Sequence, residues 1–163
     1  MPEDLQGYKY KGEDTIFLIE AEEGLIRPFD QTGGSTTIEA DELDVSTKDR
    51  SGTDYGEVTE SRSFEGELVY GDPFVDVIKA AMRNKKFVKV YEVDLKTNKA
   101  EYGMHMISNF ERDYDHGDFA TYSVDANLFG DVCETELTEI PDGAPALAGI
   151  DCDGGDNGEG VEG

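Results

Sequence analysis

Thr59-Glu60-Ser61-Arg62-Ser63-Phe64-Glu65-Gly66-Glu67-Leu68-Val69-Tyr70, followed at once by Gly71-Asp72-Pro73, decides the fold class. Phe64, Leu68 and Tyr70 fall on one parity, and Ser61, Ser63, Glu65 and Glu67 on the other. That period of two predicts a half-buried strand. Gly-Asp-Pro then starts a helix, with Asp72 as N-cap and Pro73 at the first helical position, where its missing N–H costs nothing. Phe74, Val77, Ile78, Ala81 and Met82 recur at helical spacing and form one apolar stripe, ending near Asn84.

Working outward, strand signals lie at 15–20 and 35–45 upstream, and at 87–95, 100–110, 119–129 and 132–140 downstream. Lys96-Thr97-Asn98-Lys99 reads as a tight turn and 113–118 as a polar one. In 100–110, Tyr102, Met104, Met106 and Phe110 are expected on one face, opposite Glu101, His105 and Asn109. The chain is therefore mainly β: a β-sandwich or barrel of about seven strands with one flanking α-helix. Residues 1–13 read as an N-terminal arm, 14–140 as the β domain, and 141–163 as a disordered acidic tail, because those last 23 residues hold seven glycines, six acids and no base. The segment 46–57 has no aliphatic residue and only one aromatic, Tyr55. It is too long for an ordinary hairpin loop, which makes it either functional or disordered.

The 163 residues carry 38 acids against 14 bases, a net charge of −24, with 37% hydrophobic residues. Such a chain has enough apolar residues for a core. The acid excess argues against nucleic-acid binding and against docking on anionic membranes, both of which need clustered Lys and Arg. The N-terminus lacks the basic start and apolar stretch of a secretory signal, and the longest aliphatic-aromatic run is Ile16-Phe17-Leu18-Ile19. A soluble protein made in the cytoplasm is expected, with Cys133 and Cys152 reduced.

No nucleophile elbow, phosphate loop or His-Glu-x-x-His motif is present, and adjacent carboxylates carry no weight among 38 acids. The expectation is a non-enzyme with no cofactor and no metal. The run 151–159 departs from a calcium loop at its fifth and sixth positions, Gly155 and Asp156. Half of the fourteen bases fall between Lys79 and Lys99. That cluster reads as the outward side of the helix and the following hairpin, and it suits an acidic face of a neighbouring copy.

The polar parity of four strands is the sharper observation. It comprises Thr37 and Glu39; Ser63, Glu65 and Glu67; Glu101, His105 and Asn109; and Thr121, Ser123, Asp125 and Asn127. Five are acids, one is histidine, and none is Lys or Arg. Exposed sheet faces ordinarily mix both signs, since cross-strand pairs of opposite charge contribute some tenths of a kcal/mol, roughly 0.2–1. A face that forgoes this gain implies selection against positive charge.

Three stretches make the chain resemble the major tail (tail tube) proteins of long non-contractile-tailed bacteriophages. They are 35–45 running into Ser46-Thr47-Lys48-Asp49 and the polar segment; the Asp72-Pro73 helix with Phe74-Val75-Asp76-Val77-Ile78; and Val88-Lys89-Val90-Tyr91-Glu92-Val93 ahead of a hairpin. The resemblance covers roughly 14–140. It implies hexameric rings stacked into a tube, with four strands per subunit closing an inter-subunit β-barrel. Glu39, Ser63, Glu65, Glu67, Glu101, Ser123, Asp125 and Asn127 are then the lumen-facing candidates. Thr47, Lys48, Asp49, Arg50, Asp54 and Tyr55 belong to an inter-ring loop, 46–57. Implied partners are the protein itself, tape-measure protein and DNA in the lumen without sequence-specific binding, and tail-tip or baseplate and terminator proteins, with no membrane. The implied location is the virion tail, after assembly in the host cytoplasm. Two alternatives stay open: a tube subunit of a contractile tail or type VI-like secretion system, and an acidic DNA-mimic inhibitor.

Overall fold

The computed structural model describes residues 5–145. Seven strands and one helix form in chain order: β1 (Thr15–Ala21), β2 (Gly24–Ile26), β3 (Gln31–Ser46), β4 (Ser51–Glu67), α1 (Phe74–Arg83), β5 (Val88–Asp94), β6 (Lys99–Asp113) and β7 (Thr121–Glu136). All belong to one sheet in the order β2-β1-β5-β6-β7-β4-β3, and every pairing is antiparallel. Among the described residues the sheet does not close into a barrel.

The expected number of strands is met, although two of the elements differ. The three-residue β2 escapes a period-two reading by its brevity. Residues 119–129 and 132–140, expected as two strands, are mostly one continuous β7 with a kink at Gly130, whose φ of 91° glycine tolerates.

The sheet curls until its ends face each other. The Phe17 ring of β1 stacks on the Phe64 ring of β4 at 5.3 Å, although three strands separate them in the sheet. The Gln31 side chain clamps the same place, accepting from the Phe17 N–H at 3.0 Å and donating to the Phe17 carbonyl at 2.8 Å. Between these walls lies the main core of Phe17, Ile19, Phe64, Val88, Val90, Ile107, Tyr122, Val124 and Ala126, closed by Phe74 and Ile78 of α1. A smaller core on the reverse side of β1 and β5 packs Ile16, Leu18, Tyr91 and Val93 against Leu137 and Ile140.

The helix starts as its sequence predicts. Pro73 already has helical angles (−72°, −19°), and the Asp72 carboxylate accepts from the N–H groups of Phe74 and Phe29, at 3.2 and 2.8 Å. Burial raises the Asp72 pKa above its ordinary range.

The segment 46–57 is corrected. It is no irregular loop: β3 and β4 continue as a two-stranded ribbon to the pair Ser46↔Ser51, leaving only a short turn at the tip. In that turn the Thr47 hydroxyl accepts from the N–H groups of Asp49 and Arg50. The acidic tail expected over 141–163 lies outside the described residues from 146 onward. Its described beginning includes Pro141, whose carbonyl accepts from Arg27 at 3.2 Å.

Candidate functional site

Alternation along β3, β4, β7 and the second half of β6 divides these strands into two sides, and the pairing register tells which residues share each side. Ser63 lies opposite Ser35 and Asp125, Glu65 opposite Ser123, Glu67 opposite Thr121, and Ser61 opposite Thr37 and Asn127. Glu39 follows on the same side of β3, opposite Thr59. Seven of the eight predicted residues, Glu39, Ser63, Glu65, Glu67, Ser123, Asp125 and Asn127, are therefore brought onto one face, directed away from the core. Ser63 donates to Asp125 across the strands at 2.7 Å.

Glu101 is the exception, and the expectation for it is overturned. It pairs with Glu92 beside the pairs Val90↔Gly103 and Val88↔His105, which places it on the core side. The cause is a β-bulge between Ile107 and Asn109, where two β6 steps match one on β7. One extra residue reverses every side chain beyond it. Before the bulge the odd residues His105 and Ile107 point inward; after it the even residues Phe110 and Arg112 do. Met106 consequently sits opposite Asn127 on the polar face, and Glu111 and Asp113 join that face opposite Ser123 and Thr121. The corrected face holds six carboxylates, from Glu39, Glu65, Glu67, Glu111, Asp113 and Asp125. It holds no Lys or Arg.

This four-stranded patch is open at both lateral edges among the described residues. β3 pairs only with β4. β5 covers β6 only through residues 100–105, so 106–113 keep a free edge on that side. Unpaired edges of this kind invite pairing with another chain.

On the opposite side, the lone cation of the alternating strand is fully buried. Arg62 donates from Nε to Glu92 at 3.0 Å, and from Nη2 to Glu60 at 2.8 Å and Glu101 at 3.1 Å. Its Nη1 lies 3.3 Å from Nε2 of buried His105, whose Nδ1 is 2.8 Å from the Gly103 carbonyl. A carbonyl can only accept, so the proton sits on Nδ1 and Nε2 accepts from the guanidinium. A second N–H at Nε2 would point at the guanidinium's own donors, so this geometry suits the neutral ring. Burial lowers its pKa from the ordinary 6.5, and the Arg62 charge adds to that. This cluster ties β4 to β5 and β6. Its sequence signal was Arg62 itself, a charge on the apolar parity of a strand, which must find partners when buried.

The six tip candidates divide between turn and strand. Thr47, Lys48, Asp49 and Arg50 form or flank the turn, while Asp54 and Tyr55 lie on β4; all are exposed. Beyond the pair Ser61↔Asn127 the ribbon leaves β7 and continues as a free arm.

A family model described as phage tail tube protein matches residues 9–134. Comparison with curated proteins finds no match. Among solved structures, the tail of an empty gene transfer agent particle with sixfold symmetry superposes with a TM-score of 0.68 at 13% identity, covering 78% of this chain and 99% of that one. The SPP1 tail tube gives 0.66 at 19% identity, covering 80% and 81%. The sheath–tube complex of an extracellular contractile injection system gives 0.58 at 10%, covering 84% and 99%.

Proposed function

We infer the role from one fact: this chain belongs to the phage tail tube protein family, and is a structural subunit of a tube. The finer proposal is that six copies close into a ring through the open edges of the four-stranded patch. β3 of one copy runs antiparallel to residues 106–113 of the next, so the alternation of strand direction continues around the ring. The polar face becomes the wall of the bore.

The observation that carries this is the corrected face, six carboxylates without a cation on strands whose two edges are free. DNA must pass without adhering. Each lysine in the wall would gain roughly one released counterion per phosphate contact, repeated in every ring, and so would hold the duplex back. Repulsion by carboxylates is screened over about 8 Å at physiological salt, which centres the duplex without barring it. A tape-measure protein would occupy the same bore before ejection. The ribbon tip, residues 47–50 with Asp54 and Tyr55, would reach the adjacent ring, and tail-tip or baseplate and terminator proteins would close the two ends. Assembly would take place in the host cytoplasm.

The higher TM-scores against the gene transfer agent and SPP1 tails favour a sheathless tail over a contractile one. Family membership removes the motive for a DNA-mimic inhibitor. Electron microscopy of the concentrated protein is the test: sixfold rings or tubes are expected, and a compact monomer both alone and when mixed with tail-tip complexes would overturn the proposal.

A further inference from the structure

We propose that the basic corner at the end of α1, formed by Arg83, Lys85, Lys86 and Phe87, receives the acidic arm of the neighbouring copy in the ring. This rests on the edge closure proposed above and names the surface that the closure brings against the arm.

The corner is built to present charge. The helix ends with Lys86 N–H donating to the Ala81 carbonyl at 2.8 Å and Lys85 N–H to the Met82 carbonyl at 3.2 Å. That double closure requires the residue after the cap in the left-handed region, usually glycine, yet Lys85 occupies it at φ 58°. Arg83, Lys85 and Lys86 are exposed, and none takes part in an ion pair among the described residues. Next to them Phe87, 46% exposed, stacks on Phe129, 63% exposed, with ring centroids 4.8 Å apart. Three free cations thus border an uncovered aromatic pair.

The arm is the complement. From Glu39 to Glu57 it carries seven acids against Lys48 and Arg50. It is exposed almost throughout, including Leu43 at 55%.

Register brings the two together. If β3 lies along residues 106–113 of the next copy, it cannot follow that strand past His105, because there the copy's own Val88 takes the pairing position. The arm must leave the sheet at this height, where Lys86 and Phe87 immediately precede Val88. By alternation Glu39, Asp41 and Leu43 point to the same side of the sheet as Phe129 and its cross-strand partner Met104. Glu39 and Asp41 then face Lys85 and Lys86, pairing those cations so that none is left free toward the bore, and Leu43 faces the aromatic pair. Complementary charge of this kind steers association and fixes register.

The test uses the full chain at low salt, scoring rings as well as tubes, since the contact is lateral. Lys85→Glu with Lys86→Glu should raise the concentration needed for rings at least tenfold while thermal unfolding matches the parent. Glu39→Lys with Asp41→Lys should do the same, and mixing the two variants or combining all four changes should restore rings. Zero-length carbodiimide coupling of the parent should link Lys85 or Lys86 to arm carboxylates between isotopically distinct copies. Parent-like rings from the Lys85→Glu, Lys86→Glu variant would overturn the corner and leave the tube intact. Loss without restoration by the arm changes would overturn the arm as its occupant. Failure of the parent to form rings, both alone and with tail-tip complexes, would instead defeat the closure itself.

Discussion

Arg62 and Ser63 are consecutive residues on opposite sides of one strand, and both meet carboxylates. On the inner side three glutamates converge on one guanidinium, with a neutral imidazole completing the ring of partners. On the outer side Ser63 meets Asp125, and the surrounding six carboxylates have hydroxyls and amides for neighbours. The need runs from the cation: Arg62 is fully buried and must find acceptors, while Glu60, Glu92 and Glu101 keep 15, 28 and 46% of their side chains exposed. The outer acids keep their water and do without one. The missing cation is therefore a property of that face, since the same strands supply Arg62 and Arg112 to the other.

The largest effect should come from removing the inner cation. Arg62→Met leaves three converging carboxylates without a counter-charge and should cost about 2–4 kcal/mol in urea unfolding. That is below the cost of breaking a fully buried pair, because Glu60, Glu92 and Glu101 stay partly exposed. Arg62→Lys should recover only part of this, because an ammonium cannot reproduce the planar fork that serves several partners at once. Unchanged stability of Arg62→Met would abolish the distinction between the faces.

The neighbouring glycines Gly33 and Gly34 sharpen the contrast. A Cβ at Gly34 would meet the Phe17 ring at 2.5 Å and the Ser63 carbonyl at 2.9 Å. Gly34→Ala should therefore cost about 1–3 kcal/mol, as overpacking does. At Gly33 the nearest atom is the carboxylate end of Glu65 at 3.1 Å, which can swing aside. Gly33→Ala should stay within about 0.5 kcal/mol of the parent. Thermal unfolding of the two variants checks the pair.

Acid should weaken the inner side through His105. Its folded pKa is lowered, so the unfolded chain takes up the proton first, and stability falls as pH drops below about 6.5 toward the folded value. Above 6.5 the contribution is complete. His105→Gln should flatten that part of the stability–pH curve, and an unaltered curve would place the acid sensitivity elsewhere.

The smallest stability effect belongs to the outer face. Glu65→Lys with Glu67→Lys should change unfolding by no more than about 0.5 kcal/mol. Rings and tubes should still form, while DNA delivery by particles carrying the variant should drop. Normal infectivity would contradict a bore lined by these residues.

Much of this was legible in the sequence. The alternation of 59–70, the Asp72-Pro73 helix start and the strand signals at 87–95 and 119–129 correspond to elements that form. Seven of the eight face residues follow from parity alone. Glu101 does not, because parity holds only within an uninterrupted ladder, and no residue near Ser108 announces the bulge. The segment 46–57 misled for a related reason. Lacking apolar residues, it gives no period-two signal, yet ribbon hydrogen bonds need none.

Local chemistry, carried by neighbours within a few positions, let the sequence by itself determine strand periods, the capped helix and a face without cations. Only the tertiary structure decided that Arg62 finds Glu92, Glu101 and His105, residues 30, 39 and 43 positions away. It also decided that β3 and the second half of β6 are left as open edges. Both outcomes depend on how the sheet curls and where a single residue is inserted, and such long-range geometry leaves no periodic trace in the chain.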